Sequence, residues 1–138
     1  MALLSAADWE AVRAALDPEM SSDDLPDRII EQPIYAVAAE LELLARDPIA
    51  ASRTGTAKAH IRNAGILLTA SRIAPALIAI TQQTLGSYTF SLSPTDWTKR
   101  AALLRVSAER ELGMAMGEAA PGLKPYTMFG VARGRRGR

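Results

Sequence analysis

The feature that most constrains this chain is an apolar recurrence near its C-terminal end. Trp97, Ala101, Leu104, Ala108, Leu112 and Ala115 follow one another at three- and four-residue spacing, which places all six on one face of an α-helix. Lys99, Arg100, Arg105, Glu109, Arg110 and Glu111 occupy the rest of its surface. A helix with one apolar face must bury it against other elements. The preceding Ser93-Pro94-Thr95-Asp96 supplies a cap, a proline at the first helical position and an acid in the first turn.

The partners of that helix are legible upstream. Ser5 and Asp8 predict a helix start, Trp9, Val12 and Leu16 continue it, and Asp17-Pro18 ends it, because a residue before proline avoids the α region. After a polar turn over residues 21–27, Pro26 and Asp27 open a second start. Ile29, Ile30, Ile34, Val37, Ala38, Leu41 and Leu44 supply a long apolar stripe interrupted by Pro33. This predicts a short helix through about Glu31, a bend, and a helix to Arg46 closed by Asp47-Pro48. Residues 49–56 read as a loop pivoting on Gly55, with Thr56 capping a third helix whose face is Ala57, Ile61, Ala64 and Leu68, and Pro75 kinks or ends that helix. The expected core is Trp9, Leu16, Ile30, Leu41, Leu68, Trp97 and Leu104.

Residues 73–95 contain no charge, and within them Tyr88, Phe90 and Leu92 alternate with Ser87, Thr89 and Ser91 at the period of a strand. A lone hairpin is marginal in water. It either lies on its own helices or meets another chain, with Leu85, Tyr88 and Phe90 as candidate contacts. The expected fold is therefore mainly α: a small bundle of about four helices, a short β-hairpin-like insertion before the last, and an extended tail. Residues 1–118 form the helical domain. Residues 119–138, broken by Pro121, Gly122, Pro125, Gly130, Gly134 and Gly137, form a basic arm.

Several chemistries are excluded. No cysteine is present, so disulfides, thiolate metal sites and a cysteine nucleophile are ruled out, and His60 is the only histidine. Aromatic residues make up 5% of the chain, too few for a stacking platform on single-stranded nucleic acid. Asp23, Asp24 and Asp27 lack the glycine and glutamate spacing of a calcium loop. No phosphate loop or nucleophile elbow is present. The expectation is a protein without catalytic residues, metal or cofactor. No apolar run reaches the length of a membrane span and no secretory start is evident, which predicts a soluble intracellular product, or one assembled inside a cell, with no membrane partner.

Charge is unevenly spread. Residues 1–50 hold 11 acidic and 3 basic residues, residues 51–117 hold 3 and 8, and residues 118–138 hold 1 and 5. Such a split either pairs helices within one chain or draws a second copy head to tail, a contact that closes rings. Arg100 and Arg105 are candidates for the second role. The arm combines Leu123, Tyr126, Met128, Phe129 and Val131 with Arg133, Arg135, Arg136 and Arg138. Large apolar residues in such a segment suggest docking on a partner, and the arginines suit carboxylates or phosphates. A small nucleic-acid-binding regulator is the alternative, with Arg53, Lys58, His60, Arg62 and Asn63 around the third helix, or Lys99, Arg100 and Arg105 on the last, as its candidate surface.

Three stretches together resemble the head–tail connector (adaptor, or head-completion) family of tailed bacteriophages. They are Leu-x-x-Ala-Asp-Trp-Glu-x-Val-Arg-x-x-Leu-Asp-Pro after Ala2-Leu3; Asp24-Leu25-Pro26-Asp27-x-Ile-Ile continuing into Ala39-Glu40-Leu41-Glu42; and Leu67-Leu68-Thr69-Ala70-Ser71-Arg72-Ile73-Ala74-Pro75-Ala76-Leu77, followed by Gly86-Ser87-Tyr88 and Asp96-Trp97. The resemblance spans roughly residues 3–112 and lies in the order of the pieces. It implies a structural virion protein at the capsid–tail junction, assembled in the host cytoplasm. Such proteins form a homo-oligomeric ring, commonly of twelve copies, under the portal protein. They extend the channel for genomic DNA, which passes without sequence-specific binding, and receive the next neck or tail-completion protein. It further implies that residues 119–138 reach into the portal, with Tyr126, Met128 and Phe129 as anchors and Arg133, Arg135, Arg136 and Arg138 facing acidic groups or DNA.

Overall fold

Proline and capping chemistry divide the chain into the helices that the sequence predicts. The structure, a computed structural model, describes residues 3–77 and 97–117. A 3₁₀ turn, Ala6–Asp8, leads into α1, Trp9–Leu16. The Ser5 amide donates to Asp8 Oδ2 at 2.9 Å, and α1 stops one residue before Asp17-Pro18. α2, Asp27–Ile30, follows Pro26. A π-helical turn, Pro33–Val37, runs into α3, Ala38–Arg46. A 3₁₀ turn, Ala50–Ser52, precedes α4, Gly55–Ile73, which passes into a 3₁₀ turn, Ala74–Ala76, at Pro75. α5 is Trp97–Ala115.

The third helix begins slightly earlier than expected. Gly55 has φ +63°, a left-handed conformation open to glycine, and its helix is preceded by Thr54 rather than capped by Thr56.

α4 is the central element and packs on α1, α3 and α5. α4 and α5 are antiparallel: His60 near the start of α4 meets Glu111 near the end of α5, while Ile73 and Leu77 share a core with Trp97. α3 and α5 are parallel, since Glu42 pairs with Arg105 and Arg46 with Glu109. One apolar cluster joins Trp9, Val12, Leu16, Leu25, Ile30, Ile73, Leu77, Trp97 and Leu104. A second joins Ala39, Leu43, Ile61, Ala64, Leu68, Ala108 and Leu112. Gly65 lets the N-terminal segment approach α4, with the Leu4 side chain 3.2 Å from where a Cβ would stand. The Leu3 and Leu4 amides donate to Glu40 Oε2 at 2.8 and 3.0 Å, which fastens that segment to α3.

The fold is thus mainly helical. Trp9, Leu16, Ile30, Leu68, Trp97 and Leu104 are buried as expected. Leu41 is not: it is 63% exposed, while Ala39 and Leu43 on the same helix are fully buried. The π-turn fits more residues into each turn than an α-helix does. It therefore rotates α3 so that Ala36, Ala39 and Leu43 face inward, and Ile34, Val37 and Leu41 face out. The expected hairpin, with Leu85, Tyr88 and Phe90, and the arm with Tyr126, Met128, Phe129, Arg133, Arg135, Arg136 and Arg138 lie outside the described residues.

Candidate interaction surface

Ion pairing within the chain absorbs much of the charge asymmetry. Glu42 on α3 accepts hydrogen bonds from Arg72 of α4, at 2.7 Å, and from Arg105 of α5. Burial disfavours the charge on Glu42, but the two arginines outweigh it and hold the carboxyl below its ordinary value. Arg46 donates two hydrogen bonds to Glu109, at 2.7 and 2.6 Å. These bonds lower the Glu109 pKa against a smaller opposing effect of burial. Arg62 of α4 pairs with the buried Asp8. Arg53 pairs with the buried Asp47 at 2.6 Å, which raises the arginine's pKa. Asp8, Glu42 and Asp47 of the acidic first part thus meet basic residues of the rest inside one chain, while Arg46–Glu109 pairs in the opposite sense.

The candidate residues fare differently. Arg105 is committed to Glu42, and Arg100 on the first turns of α5 is half-buried. His60 finds a partner 51 residues away, with Nδ1 3.0 Å from Glu111 Oε1, and Asn63 Nδ2 donates to the same oxygen at 3.0 Å. Burial works against the Glu111 charge, and the contacts with His60 and Asn63 overcome it, so the carboxyl is held below its ordinary value. Asp24 accepts from the Ser21 amide and hydroxyl, and Asp27 pairs with the buried Arg13, whose Nε donates to the Leu25 carbonyl. The acidic turn is consequently a folded turn. Among the described residues no cluster of three or more potential ligands could hold a metal ion. No described helix is long and apolar enough to cross a membrane.

Two surface features stand out that the sequence reading did not single out. Ile34, Val37 and Leu41 form a ridge of branched side chains along the outer face of the π-turn and α3, 62%, 47% and 63% exposed. Leu103 and Val106 of α5 are also exposed. Exposed apolar side chains gathered on one element are a candidate docking surface. The second feature is an open groove of about 490 Å³ between α1, α4 and α5. Ala11, Ala14 and Ala15 form one wall and Ile66 and Leu67 the floor, with Asn63 and Glu111 at the rim. The signal for the ridge lies in the sequence, where apolar residues occupy two phases between residues 30 and 44. Choosing between the phases requires the π-turn. No family model, curated protein or solved structure matches the chain.

Proposed function

We propose that the chain is a structural virion protein, a head–tail connector that assembles into a ring of about twelve copies beneath a portal. In this reading the ring continues the DNA channel without reading sequence and presents the attachment surface for the next neck or tail protein. Residues 119–138 reach the portal, with Tyr126, Met128 and Phe129 as apolar anchors and Arg133, Arg135, Arg136 and Arg138 against acidic groups. Leu85, Tyr88 and Phe90 contact a neighbouring copy or the neck protein.

The observation that carries the reading is the convergence of the three stretches that resemble the connector family. Trp9 and Leu16 of the first, Leu25 and Ile30 of the second, and Ile73 and Leu77 of the third lie in one apolar cluster with Trp97. Residues that match the family in order along the chain are thus also neighbours in space. The exposed apolar ridge supports an assembling protein. The regulator reading loses support because four of the five residues named around α4, Arg53, Arg62, His60 and Asn63, are engaged with carboxylates, and Arg105 of the other surface pairs with Glu42. Phosphate binding needs cations free to replace counterions.

The test is mass by light scattering, first of the chain alone and then with a candidate portal. A ring-sized complex is the expected result. A chain that stays monomeric beside the portal yet binds DNA in a salt-sensitive manner would overturn the reading in favour of the regulator.

A further inference from the structure

We propose that the chain's own C-terminal arm, residues 119–138, lies along the outer face of the π-turn and α3, with its apolar residues on Ile34, Val37 and Leu41 and its arginines at a pair of carboxylates beside them. The inference concerns the single chain and does not rest on the connector reading. If the arm also serves a portal, binding there uncovers this face.

The face carries two chemistries side by side. Val37 belongs to the exposed apolar ridge and also lines a recess of about 170 Å³, together with Leu4, Trp9, Ala36, Glu31 and Glu40. The fold holds both carboxylates in place: Trp9 Nε1 donates to Glu31 Oε2 at 2.8 Å, and the Leu3 and Leu4 amides donate to Glu40 Oε2. Among the described residues, hydrogen bonds reach only that oxygen of each, so Oε1 of each is left for a donor from outside. Residues 29–45 contain three acids and no lysine or arginine, and the third acid, Glu42, already serves Arg72 and Arg105. Covering two carboxylates with an uncharged segment costs their hydration. The occupant of this face is therefore apolar and cationic together. Residues 119–138 have that composition: Leu123, Tyr126, Met128, Phe129 and Val131 precede four arginines, and no acid is present. A guanidinium offers a carboxylate two parallel N–H donors.

The arm is long enough and starts in the right place. α3 and α5 run parallel, with Glu42 level with Arg105 and Arg46 with Glu109. Leu41 therefore lies about 20 Å back along the axis from the end of α5, and Ile34 roughly 10 Å further. Gly117, at φ +83°, leaves the helical path at that end. At about 3.3 Å per extended residue, Tyr126 reaches roughly 30 Å from Gly117 and Phe129 roughly 40 Å. Tyr126 thus reaches Leu41 and Phe129 reaches Ile34. Arg133 to Arg138, beyond them in the chain, come within range of Glu31 and Glu40. Such a contact opens locally before the bundle unfolds, so proximity is its readout and the unfolding midpoint is not.

The test uses the absence of native cysteine in the full-length chain. Leu41→Cys with Met128→Cys, and Ala14→Cys with Met128→Cys as the control, are treated with a short bis-maleimide at low protein concentration. Leu41 and Ala14 are both exposed, and circular dichroism checks that each variant keeps its helices. Intact mass and peptide mapping separate links within a chain from links between chains. The expected result is a link within one chain that forms at least tenfold faster from Leu41 than from Ala14. The rate should fall several-fold with added salt and in the same pair carrying Glu31→Gln and Glu40→Gln, which keep the acceptor oxygens that the fold uses. Equal rates from Leu41 and Ala14 would overturn the proposal. Links formed only between chains would overturn it in favour of a second copy. A rate unmoved by the two glutamines would overturn the pairing that selects the arm. No portal enters the experiment, so each of these failures leaves the connector reading to its own test.

Discussion

Arg46 and Glu109, 63 residues apart in sequence, meet fork to fork through two hydrogen bonds between the parallel helices α3 and α5. Both side chains are partly exposed, so water screens the pair. A double-mutant cycle on Arg46→Ala and Glu109→Ala, read by urea unfolding, is expected to return a coupling of about 0.2–1 kcal/mol that shrinks with added salt. Glu42 is less exposed and serves two arginines. Glu42→Gln is expected to cost about 1–2 kcal/mol, because hydrogen bonds to a charged acceptor are the stronger kind. A smaller loss for Glu42→Gln than for breaking the Arg46 pair would contradict this ranking.

The same carboxylates set an acid limit. Glu42, Glu109 and Glu111 are all held below the ordinary value of 4.5 in the folded chain. A folded-state pKa below the unfolded one stabilises the fold above the unfolded value, and that contribution disappears as pH falls through the folded value. Urea midpoints measured from pH 7 to pH 3 are therefore expected to hold down to about 5 and then drop. In Glu42→Gln the drop should be shallower, since one of the three groups no longer titrates. An identical profile for wild type and variant would show that Glu42 plays no part.

Trp97 and Leu41 make a direct comparison of core and surface. Both belong to apolar stripes in the sequence, yet Trp97 is fully buried and Leu41 is 63% exposed. Trp97→Ala is expected to cost about 3–5 kcal/mol by removing a large side chain from a packed cluster. Leu41→Ala should stay within about 0.5 kcal/mol in the monomer. Thermal or urea unfolding of the two variants decides the matter, and comparable losses would place Leu41 in the core after all.

The breakers were legible because their effect is local. Asp17-Pro18 ends α1, Pro33 marks the change of helix type, Pro75 ends the regular part of α4, and the stripe from Trp97 to Ala115 is buried except at Ala101, which is partly buried. Leu41 departs from the expected core because the residues from 30 to 44 carry apolar groups on two phases, and the sequence alone does not say which phase faces inward. The inner phase is instead lined by Ala36, Ala39 and Leu43. The partners of His60 and Glu42 were illegible for another reason. Glu111 and Arg105 lie 51 and 63 residues away, and one sequence does not say which helices are neighbours. The groove is likewise a product of how α1, α4 and α5 come together, and no periodicity announces it.

The arm can be tested apart from the body. α5 ends at Ala115, and the described members of both buried clusters lie at or before it. Deleting residues 119–138 is therefore expected to leave the helical signal and the unfolding midpoint close to those of the full chain. If the arm holds the portal, the same deletion abolishes co-sedimentation with it. Charge and apolar anchoring can be separated within the arm. Replacing Arg133, Arg135, Arg136 and Arg138 by glutamine should weaken portal binding most at low salt, since screened charges contribute less as salt rises. Replacing Tyr126, Met128 and Phe129 by serine should weaken it at every salt concentration, because apolar burial is not screened. Unchanged portal binding by the deleted chain would remove the arm from the proposed junction and leave the helical body as the part that docks.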